Sequence, residues 1–74
     1  MTQFEFNRLY WESSYALVRA LMDAHPNVDF ETLGIAQIFE WIVALPGFVD
    51  DPALAHDEML EEILSQWYEE ANAE

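Results

Sequence analysis

The chain has 74 residues, 15 of them acidic against two arginines and no lysine, for a formal net charge of −13. It is nonetheless 53% hydrophobic with three tryptophans, which excludes an acidic disordered tail, because such tails are poor in aromatic residues. Charge of one sign at this density steers a protein towards cations or basic surfaces, and phosphate affinity rests on lysine and arginine, so nucleic acid and anionic membranes are not expected as partners.

This length means one domain, and a chain so short buries only about 60% of the surface its unfolded form exposes. Without cysteine it has no disulfide, no thiolate to carry sulfur and no ligand for an iron–sulfur cluster. Met1 to Arg8 lacks a basic stretch followed by a long apolar run, and the longest apolar run, Trp41 to Pro46, is far short of a membrane span. A cytoplasmic location is the expectation.

In chain order, residues 1–8 read as an N-terminal extension. Phe4 and Phe6 alternate with polar residues, so a short strand and a loosely attached tail both fit. A first helix is predicted after Trp11, where Ser13 or Ser14 can cap exposed N–H groups. Leu17, Ala20, Leu21 and Ala24 recur on it at helical spacing, and Pro26 ends it, which puts His25 at a terminus or in a turn. Tyr10, Trp11 and Tyr15 cluster where this helix begins and read as a hydrophobic anchor.

Asn27 to Gly34 is a connection in which Asp29 caps one short turn through Thr32. A second helix carries Ile35, Ile38, Ile42 and Leu45 as one apolar stripe, widened by Phe39 and flanked by Trp41, and Pro46-Gly47 closes it. The third helix has two candidate starts. Asp51-Pro52 puts a capping carboxylate before a proline at the first helical position, and His56 or Asp57 offers a later cap. Leu60, Ile63, Leu64, Trp67 and Ala71 mark its buried face; Glu58, Glu61, Glu62 and Glu69 mark the other.

That acidic face breaks local rules. Glu58 and Glu62 are a like-charge i,i+4 pair, unfavourable by about 0.2–0.5 kcal/mol. Glu69, Glu70 and Glu74 sit at or beyond the C-terminal end, where the helix dipole disfavours anions by roughly 0.3–1 kcal/mol each. No lysine or arginine follows Arg19. Rules broken without compensation point to function, here the binding of a cation or a basic partner.

Carboxylates suit hard or intermediate cations such as Mg²⁺, Mn²⁺ or Fe²⁺, but the calcium-loop spacing is absent, which leaves weak coordination by carboxylates on neighbouring turns. The candidate metal residues are Asp50, Asp51, Glu58, Glu61 and Glu62; the candidate partner-binding residues are Glu58, Glu61, Glu62, Glu69 and Glu70. Catalysis is not expected. General acid–base chemistry needs groups converging in a sheltered cleft, and no nucleophile set or phosphate loop is present.

Taken together, Leu9 to Ala71 resembles the IscX (YfhJ) family of small acidic proteins of bacterial iron–sulfur cluster assembly. The likeness rests on Trp11, Ala20-Leu21, Asp23-Ala24, Pro26, Asp29, Thr32, Trp41-Ile42, Leu45 and Phe48, then Asp50-Asp51-Pro52, Leu60-Glu61, Ile63-Leu64, Trp67 and Glu70-Ala71. The tryptophan spacing with the F-x-D-D-P stretch carries most of it. The resemblance implies a mostly α, modified winged-helix-like single domain over 9–74. It also implies an adaptor that docks on the cysteine desulfurase IscS through an acidic surface, modulates it, acts as a monomer and binds iron (Fe²⁺ or Fe³⁺) weakly through surface carboxylates. The chain departs from the family pattern at Ile35-Ala36-Gln37, where Phe-Thr-Asp is common, at Glu31 and Gly34, where basic residues are, and at Val49 and His56. The competing reading from charge alone is an acidic DNA mimic that blocks a nucleic-acid-binding protein; an interaction domain adapted to a high-salt habitat is a third.

Overall fold

Residues 8–73 are described by the computed structural model; Phe4 and Phe6, and with them most of the N-terminal extension, lie outside the described residues. Three helices form, α1 (Ser14–Ala24), α2 (Ile35–Val43) and α3 (Asp57–Ala71), with a 3-10 turn at Pro52–Leu54 leading into the last. The mostly α fold implied by the family resemblance is what the structure has. Among the described residues the β pairing is confined to one isolated parallel bridge, Leu9 to Phe48.

The start of α1 follows the predicted position but not the predicted chemistry. Ser13 is the N-cap residue, yet its ψ of 61° is not the extended backbone that aims a capping oxygen at the first turn, and its side chain makes no cap bond. The buried face is also shifted. Leu17, Val18 and Leu21 are fully buried, whereas Ala20 is half-buried and Ala24 exposed. At about 100° per residue the three larger side chains share one arc and leave Ala20 at its edge; Ala24 projects close to Leu17 but is the last residue of α1 and stays exposed. The helix stops at Ala24 as Pro26 requires, and the His25 N–H donates to the Leu21 carbonyl at 2.8 Å.

In the connection, Asp29 does what its position suggests. Its Oδ1 accepts from the Glu31 N–H (3.0 Å) and its carbonyl from the Thr32 N–H (3.2 Å), closing a short turn. Helix α2 then buries Ile38 and Ile42 completely, with Leu45 buried just past its end. Its N-cap is Gly34, which offers no side-chain acceptor although its backbone (φ −115°, ψ 169°) is the extended kind a cap needs. A Cβ there would meet no heavy atom within 4 Å. Gly34→Ser should therefore stabilise the domain by about 0.5 kcal/mol, read as a rise of roughly 2–4 °C in melting temperature. A fall would mean that the serine hydroxyl does not reach the free N–H groups of the first turn.

Both proposed starts of the third helix are used, by different elements. Asp51 Oδ1 accepts from the Ala53 N–H at 2.9 Å and Pro52 opens the 3-10 turn. The chain extends again through Ala55 and His56, and His56 Nδ1 accepts from the Met59 N–H (3.4 Å) to cap α3. Helix α3 packs against both α1 and α2, which touch each other little. Leu60, Ile63 and Trp67 are its buried residues, and Leu64 is half-buried. Ala71, expected on that face, is exposed: it borders a hollow of about 440 Å³ with Met22, Pro26 and Trp67, so the last turn overhangs the core.

Candidate functional site

On α3, about 100° per residue places Glu58, Glu62, Ser65 and Glu69 in one stripe, with Glu61 beside it and Glu70 well off it. The four glutamates Glu58, Glu61, Glu62 and Glu69 are exposed, and Glu70 is half-buried. The predicted partner-binding set is thereby divided: the first three acids stand near the N-terminal end of the helix, and Glu69 and Glu70 on its last turns.

The N-terminal end of α3 runs alongside the segment that leads into α1, and a groove of about 660 Å³ lies between them. Glu58, Glu61 and Glu62 line it from α3, with His56 at its end. Glu12, opposite them, adds a carboxylate that sequence spacing gave no reason to include, because only the packing of α1 on α3 brings it there. Trp11, Ser14, Met59, Ile63 and Ser65 complete the lining. Neither arginine is among the lining residues, so the four carboxylates face solvent with no cation of the groove's own. A concave surface lined by one sign of charge raises the local concentration of opposite charge and speeds association with basic surfaces.

Asp50 and Asp51 are placed differently. Asp50 Oδ2 accepts from the backbone N–H of Trp11 at 3.0 Å, and its Oδ1 accepts from the Asp51 N–H at 2.7 Å. The indole N–H of Trp11 donates to the Asp51 carbonyl at 2.8 Å, and Asp51 Oδ1 caps the 3-10 turn. Two backbone bonds, Leu9 N–H to the Gly47 carbonyl (2.8 Å) and Val49 N–H to the Leu9 carbonyl (3.1 Å), tie down the same crossing. Gly47 supplies the positive φ (98°) that the chain needs to turn back into it. These carboxylates thus lock residues 9–11 onto residues 47–51. Asp50→Ala should lower stability by about 2 kcal/mol, since it leaves the half-buried Trp11 N–H without an acceptor. An unchanged melting temperature would show that Asp50 has no such structural duty.

Iron was expected at Asp50, Asp51, Glu58, Glu61 and Glu62. Among the described residues, no group of three or more histidine, aspartate or glutamate side chains is placed to hold a metal ion. The donors therefore do not make a preformed metal cage. No helix of the described residues is long and apolar enough to cross a membrane.

The family profile for iron–sulphur cluster assembly matches residues 9–72. The chain belongs to that family. It is the IscX-like family that the sequence resembles. A relative, the uncharacterized protein PA3808 of Pseudomonas aeruginosa, is 32% identical over 62 residues, covering 84% of this chain and 94% of the relative. In this member of the iron–sulphur cluster assembly family, the F-x-D-D-P stretch and Trp11 that carry the likeness meet in the crossing just described. Phe48 stands edge-on to Trp11 (5.0 Å, 71°) and Phe39 lies parallel to it (6.2 Å, 10°). The most recognisable part of the sequence is thus the part that holds the fold together, and the acidic groove lies beside it.

Proposed function

We propose that the protein is an accessory adaptor of iron–sulfur cluster assembly that docks, as a monomer in the cytoplasm, on the basic surface of a cysteine desulfurase, IscS, and modulates it. The observation that carries this reading is the groove on α3. Glu58, Glu61, Glu62 and Glu12 line one concavity, all exposed, with neither arginine among the lining residues. Family membership supplies the setting in which a basic partner is to be sought. The desulfurase performs the sulfur chemistry; the adaptor has no thiolate and changes only access and rate at its partner.

Charge at such an interface acts mainly on the association rate and on the choice of partner. Exposed carboxylates are screened within about 8 Å at physiological ionic strength. Iron belongs to the same reading as a weakly held cargo of Glu58, Glu61 and Glu62, met by one or two carboxylates at a time. The test is calorimetric titration into the cysteine desulfurase at low and high salt, with and without anaerobic Fe²⁺. Saturable binding that weakens as salt rises is the expected result, and absence of a complex at low salt would sink the assignment.

A further inference from the structure

Glu61 and Ser65 border two hollows, not one. Beyond the acidic groove, on the side of the Asn27–Gly34 connection, lies a second of about 350 Å³, lined by Phe30, Glu31, Glu61, Leu64, Ser65 and Tyr68. Its walls are mostly apolar, and the two carboxylates are the only charged groups on them. Phe30 is held by edge contacts to Trp67 (5.4 Å, 80°) and Tyr68 (5.3 Å, 89°), while Tyr68 itself is 53% exposed. A fixed aromatic pair therefore stands with its rim carried by Glu31 and Glu61.

That combination selects its occupant. An apolar side chain seated here would cover the two glutamates and strip water from them with nothing in return. An ammonium is a compact, strongly hydrated charge that gives up its water reluctantly. A guanidinium is planar and weakly hydrated, stacks on aromatic faces, and presents a fork of donors that matches carboxylates. We infer that this hollow is the receptor for a single arginine side chain presented by a basic partner, its stem along Leu64, its plane against Tyr68, and its donors on Glu61 and Glu31. The inference rests on the docking reading only in that Glu61 and Ser65 join this hollow to the acidic groove. The groove attracts positive charge of any kind; the hollow adds a preference among cations.

The test needs no desulfurase. Labelled protein is titrated with N-acetyl-arginine amide and with N-acetyl-lysine amide at equal ionic strength, following amide chemical shifts. The expected result is shifts centred on Phe30, Glu31, Glu61, Leu64, Ser65 and Tyr68, with the arginine probe at least about fivefold tighter than the lysine probe. Tyr68→Ala should abolish that preference and Tyr68→Phe should keep it. Should Tyr68→Ala fail to fold, Glu61→Gln, at an exposed position, should weaken the arginine probe several-fold. Equal shifts from both probes, spread over every acidic residue, would overturn the assignment, as would an arginine preference that survives Tyr68→Ala or an arginine affinity that Glu61→Gln leaves unchanged. An arginine preference in a protein that ignores the desulfurase would leave the hollow standing and remove only the named partner.

Discussion

Trp11→Ala should cost the domain about 4 kcal/mol. Trp11 is 4% exposed, stacks on Phe39, meets Phe48 edge-on and donates its indole N–H to the Asp51 carbonyl. Its own backbone N–H is held by Asp50. Removing the ring opens a cavity and leaves that carbonyl without its donor. A domain of this length has total stability of only about 4–11 kcal/mol, so the variant should lose between about a third and all of it. Trp11→Phe keeps most of the ring and loses the indole N–H, and should cost about 1–2 kcal/mol. Tyr15→Ala is the control: 55% exposed in the first turn of α1, it should stay within about 0.5 kcal/mol. Urea denaturation followed by circular dichroism measures all three. A Trp11→Ala protein as stable as the parent would show that the crossing of residues 9–11 and 47–51 does not hold the fold.

The second large effect lies on function and leaves the fold alone. The triple substitution Glu58→Gln, Glu61→Gln and Glu62→Gln removes three of the four carboxylates of the groove while keeping side-chain size. Affinity for the desulfurase should fall at least about tenfold at low salt, chiefly through slower association, and should then vary less with salt. Stability should barely move, because two effects oppose. Relief of the Glu58–Glu62 repulsion gains about 0.2–0.5 kcal/mol. Loss of Glu58 from the first turn of α3 gives back about 0.3–1 kcal/mol of favourable interaction with the helix dipole. Glu69→Gln with Glu70→Gln makes the informative comparison. Those residues lie on the last turns of α3, away from the groove, so removing them should raise stability and leave affinity closer to that of the parent. Equal losses from both sets would mean that total charge, not the groove, drives binding.

These contrasts also show what could be read from the chain alone. The helices were legible because their signals are local: an i,i+4 apolar rhythm, a proline that ends α1, and a cap before α3. Two start signals for the third helix could not be ranked in sequence because both are real, one opening the 3-10 turn at Pro52 and the other opening α3 at Asp57. The exposed Ala71 and Ala24 went unforeseen for a simpler reason: periodicity marks which way a residue faces, not whether anything packs over it. Ser13 failed as a cap because one backbone angle decides whether its hydroxyl reaches the helix.

The acidic site was half legible. Glu58, Glu61 and Glu62 announced themselves by like charge at helical spacing, and they do line one groove. Glu12 and the pairing of Phe30 with Tyr68 depend on contacts between distant segments, for which a single sequence carries no spacing signal. Asp50 and Asp51 were named as metal candidates, and Asp51 also as a cap before Pro52. In the structure their oxygens accept backbone N–H groups.

The most direct measurement is an amide chemical-shift titration of the labelled protein with the unlabelled cysteine desulfurase at low salt. Signals that shift or broaden first should be those of Glu12, His56, Glu58, Glu61, Glu62 and Ser65 on the groove, with Tyr68 beside it, while Arg19, Gln37 and Glu40 stay unaffected. Perturbation centred on the α1–α2 side, or none at a concentration where the desulfurase is in excess, would contradict docking through α3.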